Sequence, residues 1–206
     1  MLMKRIVGLA VFAITVLFAL PAFGNQLEEG QELYKIKKYS EAEHTFRQIL
    51  EKEPENSQAA YYLGLTLLEQ DKFKEAEGLF QKDYEKNPTQ DLVKIGLARA
   101  YMGQEQLDKA KVALDEAQEV NPDNAEVYYY RGVLGAHHKD YKAAAESLEK
   151  AIKLEPNHAY AHYHAGLAYN LLKRPDKMLE HFQAFLKLAP DAPEAQKVRT
   201  VLRSAR

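Results

Sequence analysis

The sequence predicts an all-α protein built from repeated pairs of helices, and three observations lead to this prediction. Pro54, Pro88, Pro122, Pro156 and Pro190 follow one another at intervals of 34 residues without an insertion. The segments between them are rich in Ala, Leu, Glu and Lys, which favour helices. Small and aromatic residues also return at fixed positions of this 34-residue frame. Because proline cannot continue a helical hydrogen-bond ladder, each proline is expected to end a helix.

Two columns of the frame hold small residues, where paired helices would have to approach closely. Position 8 holds Gly30, Gly64, Ala98, Gly132 and Gly166, and position 20 holds Ala42, Ala76, Ala110, Ala144 and Met178. Position 24 holds the larger residues Phe46, Phe80, Leu114, Leu148 and Phe182. We expect these larger side chains to fill the space between the helices. Each helix has only one strongly apolar face, so one pair cannot bury it and the pairs are expected to stack.

This pattern resembles the tetratricopeptide repeat, a 34-residue helix–turn–helix unit with small, aromatic and proline residues at fixed positions. The frames are 23–56, 57–90, 91–124, 125–158 and 159–192. The resemblance implies an all-α, right-handed α-solenoid of five repeats in one domain. The segment PEAQKVRTVLRSAR, 193–206, predicts a C-terminal capping helix, because Val198, Val201 and Leu202 form one apolar side.

The first 24 residues differ from the repeats and have the features of a signal peptide. Lys4 and Arg5 precede an uncharged stretch, 6–20, and Ala22-Phe23-Gly24 has the small-x-small form that signal peptidases cleave. We therefore expect cleavage after Gly24 and a periplasmic or secreted mature chain. The alternative is an uncleaved inner-membrane anchor, because the apolar stretch is nearly as long as the ~20 residues of a spanning helix.

Composition and motifs exclude several classes of function. The formal net charge of −2 gives no electrostatic basis for binding nucleic acid. Cysteine is absent, which removes disulfides, thiol nucleophiles and the acylation site of a lipoprotein. No serine has a histidine and an acid in a recognisable frame, and the sequence has no glycine-rich phosphate loop. We therefore predict no enzymatic activity and no cofactor.

A second stripe runs along the first helix of each repeat, apart from the face used for core packing. At about 100° per residue, positions 4, 7, 8 and 11 cluster on one side of this helix and positions 2, 5, 9 and 12 on another. In tetratricopeptide proteins the second stripe lines a concave groove that binds partners, and the resemblance implies the same here. With His137 added from position 13, the predicted groove residues are Tyr34, Tyr61, Leu65, Leu68, Leu92, Ile95, Arg99, Met102, Tyr129, Val133, His137, Tyr160, Tyr163, Leu167 and Asn170. Exposed apolar side chains and tyrosines are typical of interaction surfaces.

The alternative is that neighbouring first helices bury this stripe against each other. If the groove is open, its charge restricts the ligand, because Arg99 is the only lysine or arginine among the predicted groove residues. This excludes the clamp of Lys and Asn with which some family members bind a terminal carboxylate. We therefore predict an apolar or amphipathic segment of a protein or peptide as the ligand.

Six of the seven histidines lie between residues 137 and 181, which raises the question of a metal site. They are His137, His138, His158, His162, His164 and His181. They scatter over both helices and a turn of the frame, without a carboxylate at ligand spacing. We interpret them as structural residues and predict no metal. An alternative is that His137, at the edge of the groove, makes partner binding sensitive to pH.

Together these features predict a non-catalytic adaptor or scaffold of the bacterial envelope, similar to periplasmic tetratricopeptide proteins that help assemble envelope machinery. Its partner is expected to be a protein or peptide and not a nucleic acid. Two alternatives stay open. One is a membrane-tethered assembly factor, if the N-terminal segment is retained, and the other is a homo-oligomeric scaffold whose groove binds a second copy of the chain.

Several local features carry predictions of their own. Asp83 and Lys94 fall in columns that should be buried, so we predict that they form an ion pair. Arg131 also departs from the apolar pattern, and the sequence indicates no partner for it. At the helix starts, Asn124 and Ser57 are predicted N-caps, and the segment 40–43, SEAE, a capping box.

Overall fold

The computed structural model describes residues 23–86 and 89–204, with side chains from residue 26 onward. Within these ranges it contains eleven α-helices and no strand. The helices are α1 (Phe23–Lys35), α2 (Tyr39–Lys52), α3 (Ser57–Leu68), α4 (Phe73–Lys86), α5 (Asp91–Gly103), α6 (Leu107–Val120), α7 (Ala125–His137), α8 (Tyr141–Leu154), α9 (Ala159–Leu171), α10 (Pro175–Leu188) and α11 (Ala195–Ser204).

The helices stack as antiparallel pairs in a single continuous array. Every helix packs against the next one along the chain. The first helices of successive repeats, α1, α3, α5, α7 and α9, also contact one another, whereas among the described helices α2, α4, α6, α8 and α10 make no close backbone contact with each other. We call the first set the A helices and the second set the B helices. Because the A helices are closer together, the stack curves towards them, and the predicted all-α repeat solenoid is confirmed.

The small and large columns of the frame meet inside each repeat, as predicted. The ring of Phe46 lies against Gly30, and the ring of Phe80 lies against both Gly64 and Gly96, so that no Cβ atom would fit on these glycines without displacing a ring. Phe46 and Phe80 are almost completely buried. Glycine therefore sets the distance between an A helix and its partner, because any side chain at these positions would separate the helices.

The turn inside each repeat has the same backbone geometry throughout the chain. In the turn that follows each A helix, a single residue adopts positive φ, between 57° and 62°. None of these residues is glycine: they are Lys37, Asp71, Glu105, Lys139 and Lys173. In each turn the next amide donates to a carbonyl five residues earlier, for example Lys38 N to Leu33 O at 2.8 Å. This pattern is the Schellman motif, which satisfies carbonyls at the end of a helix.

The caps at the helix starts agree with the sequence only in part. Asn124 accepts a hydrogen bond from Glu126 N at 2.9 Å and caps α7, as predicted. The cap of α3 is Asn56 and not Ser57, because the helix already begins at Ser57. The predicted capping box at 40–43 is wrong. Helix α2 already begins at Tyr39, so Ser40 lies inside the helix, and the Glu43 carboxylate binds Lys72 at 2.7 Å instead.

The predicted ion pair between Asp83 and Lys94 is wrong, although both residues are buried. The Lys94 ammonium pairs with Glu116 of α6 at 2.8 Å and lies 4.2 Å from the centre of the Tyr84 ring. Asp83 lines a cavity on the other side of α4, towards α2 and α3. The two side chains point to opposite neighbours, so adjacency of their helices does not bring them together. Arg131, which had no expected partner, pairs with Asp115 of α6.

The N-terminal segment lies largely outside the residues that the structure describes. The predicted signal sequence, 1–24, overlaps the described chain only at its last two residues, which belong to α1. Among the helices of the described ranges, none combines the length and the apolar character needed to cross a bilayer.

Candidate protein-binding groove

The A helices bring most of the predicted groove residues to one side of the stack, but with unequal exposure. Tyr34, Tyr61, Leu65, Arg99, Met102, Tyr129, Val133, Tyr160, Tyr163 and Leu167 are half-buried, and Leu92, His137 and Asn170 are exposed. The exposed apolar residue Leu92 keeps 46% of its surface in water. An apolar side chain this exposed, on the stripe that also carries the half-buried tyrosines, is a feature of a surface that binds a partner.

Two of the predicted groove residues, Leu68 and Ile95, are core residues instead. Leu68 is 6% exposed and packs in the main core, and Ile95 is 5% exposed and packs with Ala117 and Val127. Helix α5 lies between α3 and α7, and these two A helices cover its sides. Less of the predicted stripe on α5 is therefore exposed to solvent. These two positions offer almost no surface to a partner, and we remove them from the candidate groove.

Tyr129 of α7 lies at the centre of an aromatic cluster that extends to α9. Its ring centre is 4.8 Å from that of Tyr130, 4.6 Å from His158 and 5.7 Å from His164. Tyr163 continues the cluster, 5.2 Å from His164. Edge and tilted contacts at these distances stabilise aromatic pairs beyond the area that they bury. The rings are therefore held in place before any partner binds.

The tyrosines of α9 connect the groove to the core and to the C-terminal helix. The ring of Tyr163 is 5.1 Å from Phe185, a buried residue of α10. Tyr160 donates a hydrogen bond from its hydroxyl to the Glu194 carboxylate, just before α11, at 3.2 Å. The stripe is thus partly buried between helices and partly open to solvent.

Arg99, a cation of the candidate groove, already forms an ion pair within the protein. Arg99 of α5 binds Glu69 at 2.7 Å, and its guanidinium lies 5.4 Å from the centre of the Tyr130 ring. Burial alone would lower the pKa of Arg99, but the neighbouring Tyr130 and Glu69 outweigh it and raise the pKa. Arg99 therefore stays charged and links α5 to the end of α3 and to α7.

The tyrosine hydroxyls of this surface stay protonated at physiological pH. Burial raises the pKa of Tyr61 to about 12, and it raises the pKa of Tyr129 and Tyr130 well above the ordinary value. A neutral phenol both donates and accepts hydrogen bonds. These residues can therefore offer a partner a broad apolar ring together with a polar edge.

Residues that the sequence analysis did not assign to the groove also take part in it. They are Glu69, Glu126, Tyr130, His158, His164 and Glu194, which contact or act electrostatically on the predicted tyrosines. Tyr130 is at position 6 of the frame and Glu194 lies in the capping segment. The sequence offered one signal for position 6: the tyrosine pair 61–62 recurs at 129–130, and its second member stands at this position in both repeats.

His158 uses both ring nitrogens for structural hydrogen bonds. Its Nδ1 accepts from Ala161 N at 3.1 Å, which caps α9, and its Nε2 lies 3.1 Å from the Glu126 carboxylate, to which it donates. Burial opposes a charge on the ring, but the bond to Glu126 outweighs it and raises the pKa of His158. Protonation of Nδ1 would remove the cap of α9.

Glu126, Glu155 and His158 are close enough for a metal ion, with ligand atoms within 4.8 Å of one another. The hydrogen bonds of His158 argue against this use. A metal on Nε2 would require a proton on Nδ1, where the cap of α9 needs a lone pair. Burial also lowers the pKa of His164 to about 4 and lowers that of His181, so both rings are neutral near physiological pH. We interpret His158, His162, His164 and His181 as packing and capping residues.

The fold and this surface define a helical-repeat protein with a concave, tyrosine-lined face. Family models agree: a tetratricopeptide repeat model matches residues 27–91 and 140–193, and a second one matches residues 67–131. The chain belongs to the tetratricopeptide repeat family. Proteins of this family act as scaffolds that bind protein or peptide partners, and the fold is typically non-catalytic.

Several solved structures are similar to this chain. TTC0263, a thermophilic member from Thermus thermophilus, is 25% identical, with a TM-score of 0.78 over 89% of this chain and 98% of that one. PilF of Pseudomonas aeruginosa is 16% identical, with a TM-score of 0.68 over 89% and 86%. YrrB, reported to have an unusual peptide-binding site, is 22% identical, with a TM-score of 0.55 over 87% and 98%. Among curated proteins, none matches the chain.

Proposed function

We propose that the chain is a non-catalytic adaptor or scaffold of the bacterial envelope, and that its A-helix groove binds an apolar or amphipathic segment of a partner protein. One observation carries the proposal. Leu92 of the A helix α5 is exposed, and the half-buried tyrosines of the A helices α7 and α9 are already ordered by ring contacts. Such a surface gains apolar burial on binding and loses little side-chain freedom. The solved structure of YrrB, reported with a peptide-binding site, is a precedent on the same fold.

The groove is tested by two variants that place a lysine on opposite faces. Leu92→Lys introduces a charge at the groove, and Val112→Lys introduces the same charge at an exposed apolar residue of α6, beside Tyr84 and Glu85. We expect proteins captured from an envelope extract by the wild-type chain to be lost with Leu92→Lys and kept with Val112→Lys. Equal capture by both variants would contradict the groove as the binding site.

Removing tyrosines is a second test of the same surface, but it needs a stability control. The double variant Tyr129→Ala and Tyr163→Ala is expected to abolish capture. Tyr163 also packs on the buried Phe185, so this variant removes core contacts as well. Its melting temperature and helicity have to be measured alongside, and the result counts only if the folded state persists at the temperature of the capture experiment.

The location in the envelope is part of the proposal and has its own test. The uncharged stretch 6–20 and the segment Ala22-Phe23-Gly24 support export and cleavage. N-terminal sequencing of the mature protein is expected to begin at Asn25. A chain that starts at Met1 and sediments with membranes would support the tethered assembly factor instead. Sedimentation at several protein concentrations distinguishes a monomeric adaptor from a self-assembling scaffold.

A further inference from the structure

The candidate groove carries more negative than positive charge. Three carboxylates lie at this surface: Glu69 binds Arg99, Glu126 binds His158, and Glu194 binds the Tyr160 hydroxyl. Of these three, Glu69 has a basic partner in the described chain, Arg99 at 2.7 Å. Arg99 is therefore not available to bind an anionic partner, because such a partner would have to displace Glu69 from it.

The other two carboxylates, Glu126 and Glu194, accept hydrogen bonds from a histidine and a tyrosine. Glu126 accepts from His158 and keeps 41% of its side chain exposed, and Glu194 accepts from the Tyr160 hydroxyl. Within residues 26–86 and 89–204, no lysine or arginine forms an ion pair with either carboxylate, and this includes the exposed Lys197, three residues after Glu194. Both negative charges are therefore left without a permanently charged partner at this surface.

Both carboxylates act on the same aromatic ring. Glu126 binds His158, whose ring centre is 4.6 Å from that of Tyr129, and Glu194 binds Tyr160, whose ring centre is 6.3 Å from that of Tyr163. After the larger effect of burial, both carboxylates also raise the pKa of Tyr129. Tyr160 also contributes to the raised pKa of Tyr129. The end of the groove formed by α7, α9 and the start of α11 therefore combines tyrosine rings with two carboxylates that lack a permanently charged partner. A lysine or arginine is attracted by both kinds of group, by ring faces through cation–π contact and by carboxylates through charge-assisted hydrogen bonds.

We infer that this end of the groove binds a lysine or arginine side chain of the partner segment, between Tyr129, Tyr160 and the carboxylates of Glu126 and Glu194. The inference rests on the proposed function and makes it more specific: the partner segment is basic as well as apolar. The apolar residues of the segment then lie towards Leu92 and Val133, and the basic residue lies towards α11. An acidic segment is disfavoured, because it would bring like charges together at a partly desolvated surface.

The experiment uses a random peptide library displayed on phage, selected against the full-length mature protein at alkaline pH, where the protonation of His158 is lowest. We expect the selected peptides to combine apolar residues with lysine or arginine. The best peptide is then synthesised in two forms, one unchanged and one with its basic residues replaced by glutamine. The glutamine form is expected to bind about tenfold more weakly in fluorescence anisotropy.

The double variant Glu126→Gln and Glu194→Gln assigns this difference to the two carboxylates. Glutamine keeps an oxygen that accepts the bonds from His158 and Tyr160, so the fold is preserved while the charge is removed. We expect this variant to bind the basic peptide about tenfold more weakly and to bind the glutamine form like the wild type. The control is the double variant Glu119→Gln and Glu146→Gln, at two exposed residues of the B helices α6 and α8. It changes the net charge by the same amount as the variant of Glu126 and Glu194. It is expected to leave both affinities within about twofold.

The outcomes separate this inference from the proposed function. Selected peptides that are acidic or neutral, or a basic peptide that binds Glu126→Gln with Glu194→Gln as tightly as the wild type, would overturn the basic partner. If such peptides still lose binding with Leu92→Lys and not with Val112→Lys, the groove itself stands. A library that yields no peptide, or only peptides unaffected by Leu92→Lys, would overturn the groove and the inference together.

Discussion

The ring of Phe80 lies directly against the backbone of Gly64. A Cβ atom on Gly64 would stand 2.5 Å from the Cζ atom of the ring, which is closer than carbon atoms can approach. Gly96, in the A helix of the next repeat, contacts the same ring at 2.6 Å by the same measure. Phe80 is thus held between α3 and α5 and cannot move away from either helix.

This contact predicts that Gly64→Ala destabilises the protein, although alanine is the better helix former. We expect the free energy of unfolding to fall by about 1–3 kcal/mol, because the added methyl group overpacks a site closed on both sides. Urea unfolding followed by circular dichroism measures the change. Gly78→Ala is the matched control, because a Cβ atom at this position of α4 meets nothing within 4 Å. It is expected to stabilise the protein by up to about 1 kcal/mol. Equal effects of the two variants would contradict the packing role of Gly64.

The turns with positive φ predict that glycine stabilises the position after an A helix. Glu105 has φ of 59°, where a side chain other than glycine costs about 1–2 kcal/mol. Glu105→Gly removes this strain and loses part of the gain to the greater freedom of the unfolded chain. We expect a net stabilisation of up to about 1 kcal/mol, measured as a higher melting temperature. Glu146→Gly, the same exchange at an exposed residue inside α8, is expected to destabilise by about 1 kcal/mol. A lower melting temperature for Glu105→Gly would show that the Glu105 side chain stabilises the fold by more than its positive φ costs.

The buried ammonium of Lys94 predicts an asymmetric response to removing either partner of its ion pair. Lys94 is buried, whereas Glu116 keeps 42% of its side chain exposed. Glu116→Ala leaves a buried charge without its carboxylate, and we expect a loss of about 1–3 kcal/mol. Lys94→Met leaves only an exposed carboxylate that water can solvate, so its stability is expected to stay close to that of the wild type. Adding Lys94→Met to Glu116→Ala should restore most of the lost free energy of unfolding, as measured by chemical unfolding. A double variant less stable than Glu116→Ala alone would refute this account.

The burial of His164 predicts a dependence of stability on pH. Burial lowers its pKa from the ordinary 6.5 to about 4, and within the described chain the ring forms no hydrogen bond. Because the folded pKa is depressed, the neutral ring contributes its full stability above pH 6.5. As the pH falls from 6.5 towards 4, the unfolded chain binds a proton that the folded chain does not, and the free energy of unfolding decreases.

The variant His164→Phe isolates this contribution. Phenylalanine keeps an aromatic ring beside Tyr129 and Tyr163 but cannot bind a proton. The wild type is therefore expected to lose up to about 3 kcal/mol more than His164→Phe between pH 6.5 and 4. Chemical unfolding at a series of pH values measures the slope, and an NMR titration of the imidazole signals measures the pKa itself. Identical slopes for both proteins would rule out His164 as the titrating group.

Much of this molecule could be predicted from the sequence because its repeats are local. Helix ends, the glycine and aromatic columns and the stacking order all depend on residues within one 34-residue frame or the next one. The contact of Gly30 with Phe46 returns one frame later as the contact of Gly64 with Phe80, so alignment of the frames reveals both. The candidate groove was predictable in outline for the same reason, since the stripe of tyrosines follows the helical period.

By itself, then, the sequence determined the repeat, the pairing of helices and the set of residues from which a binding surface can be made. Which of these residues reach solvent, and which charges meet, depends on the packing of the folded chain. Ile95 belongs to the stripe and yet packs on Val127, and Lys94 pairs with Glu116 and not with Asp83. The reason is physical: a period specifies the direction of a side chain around its own helix. Whether that side chain is buried, and which charge it meets, depends on how each neighbouring helix is rotated relative to its own. That rotation is set by the packing of the whole array.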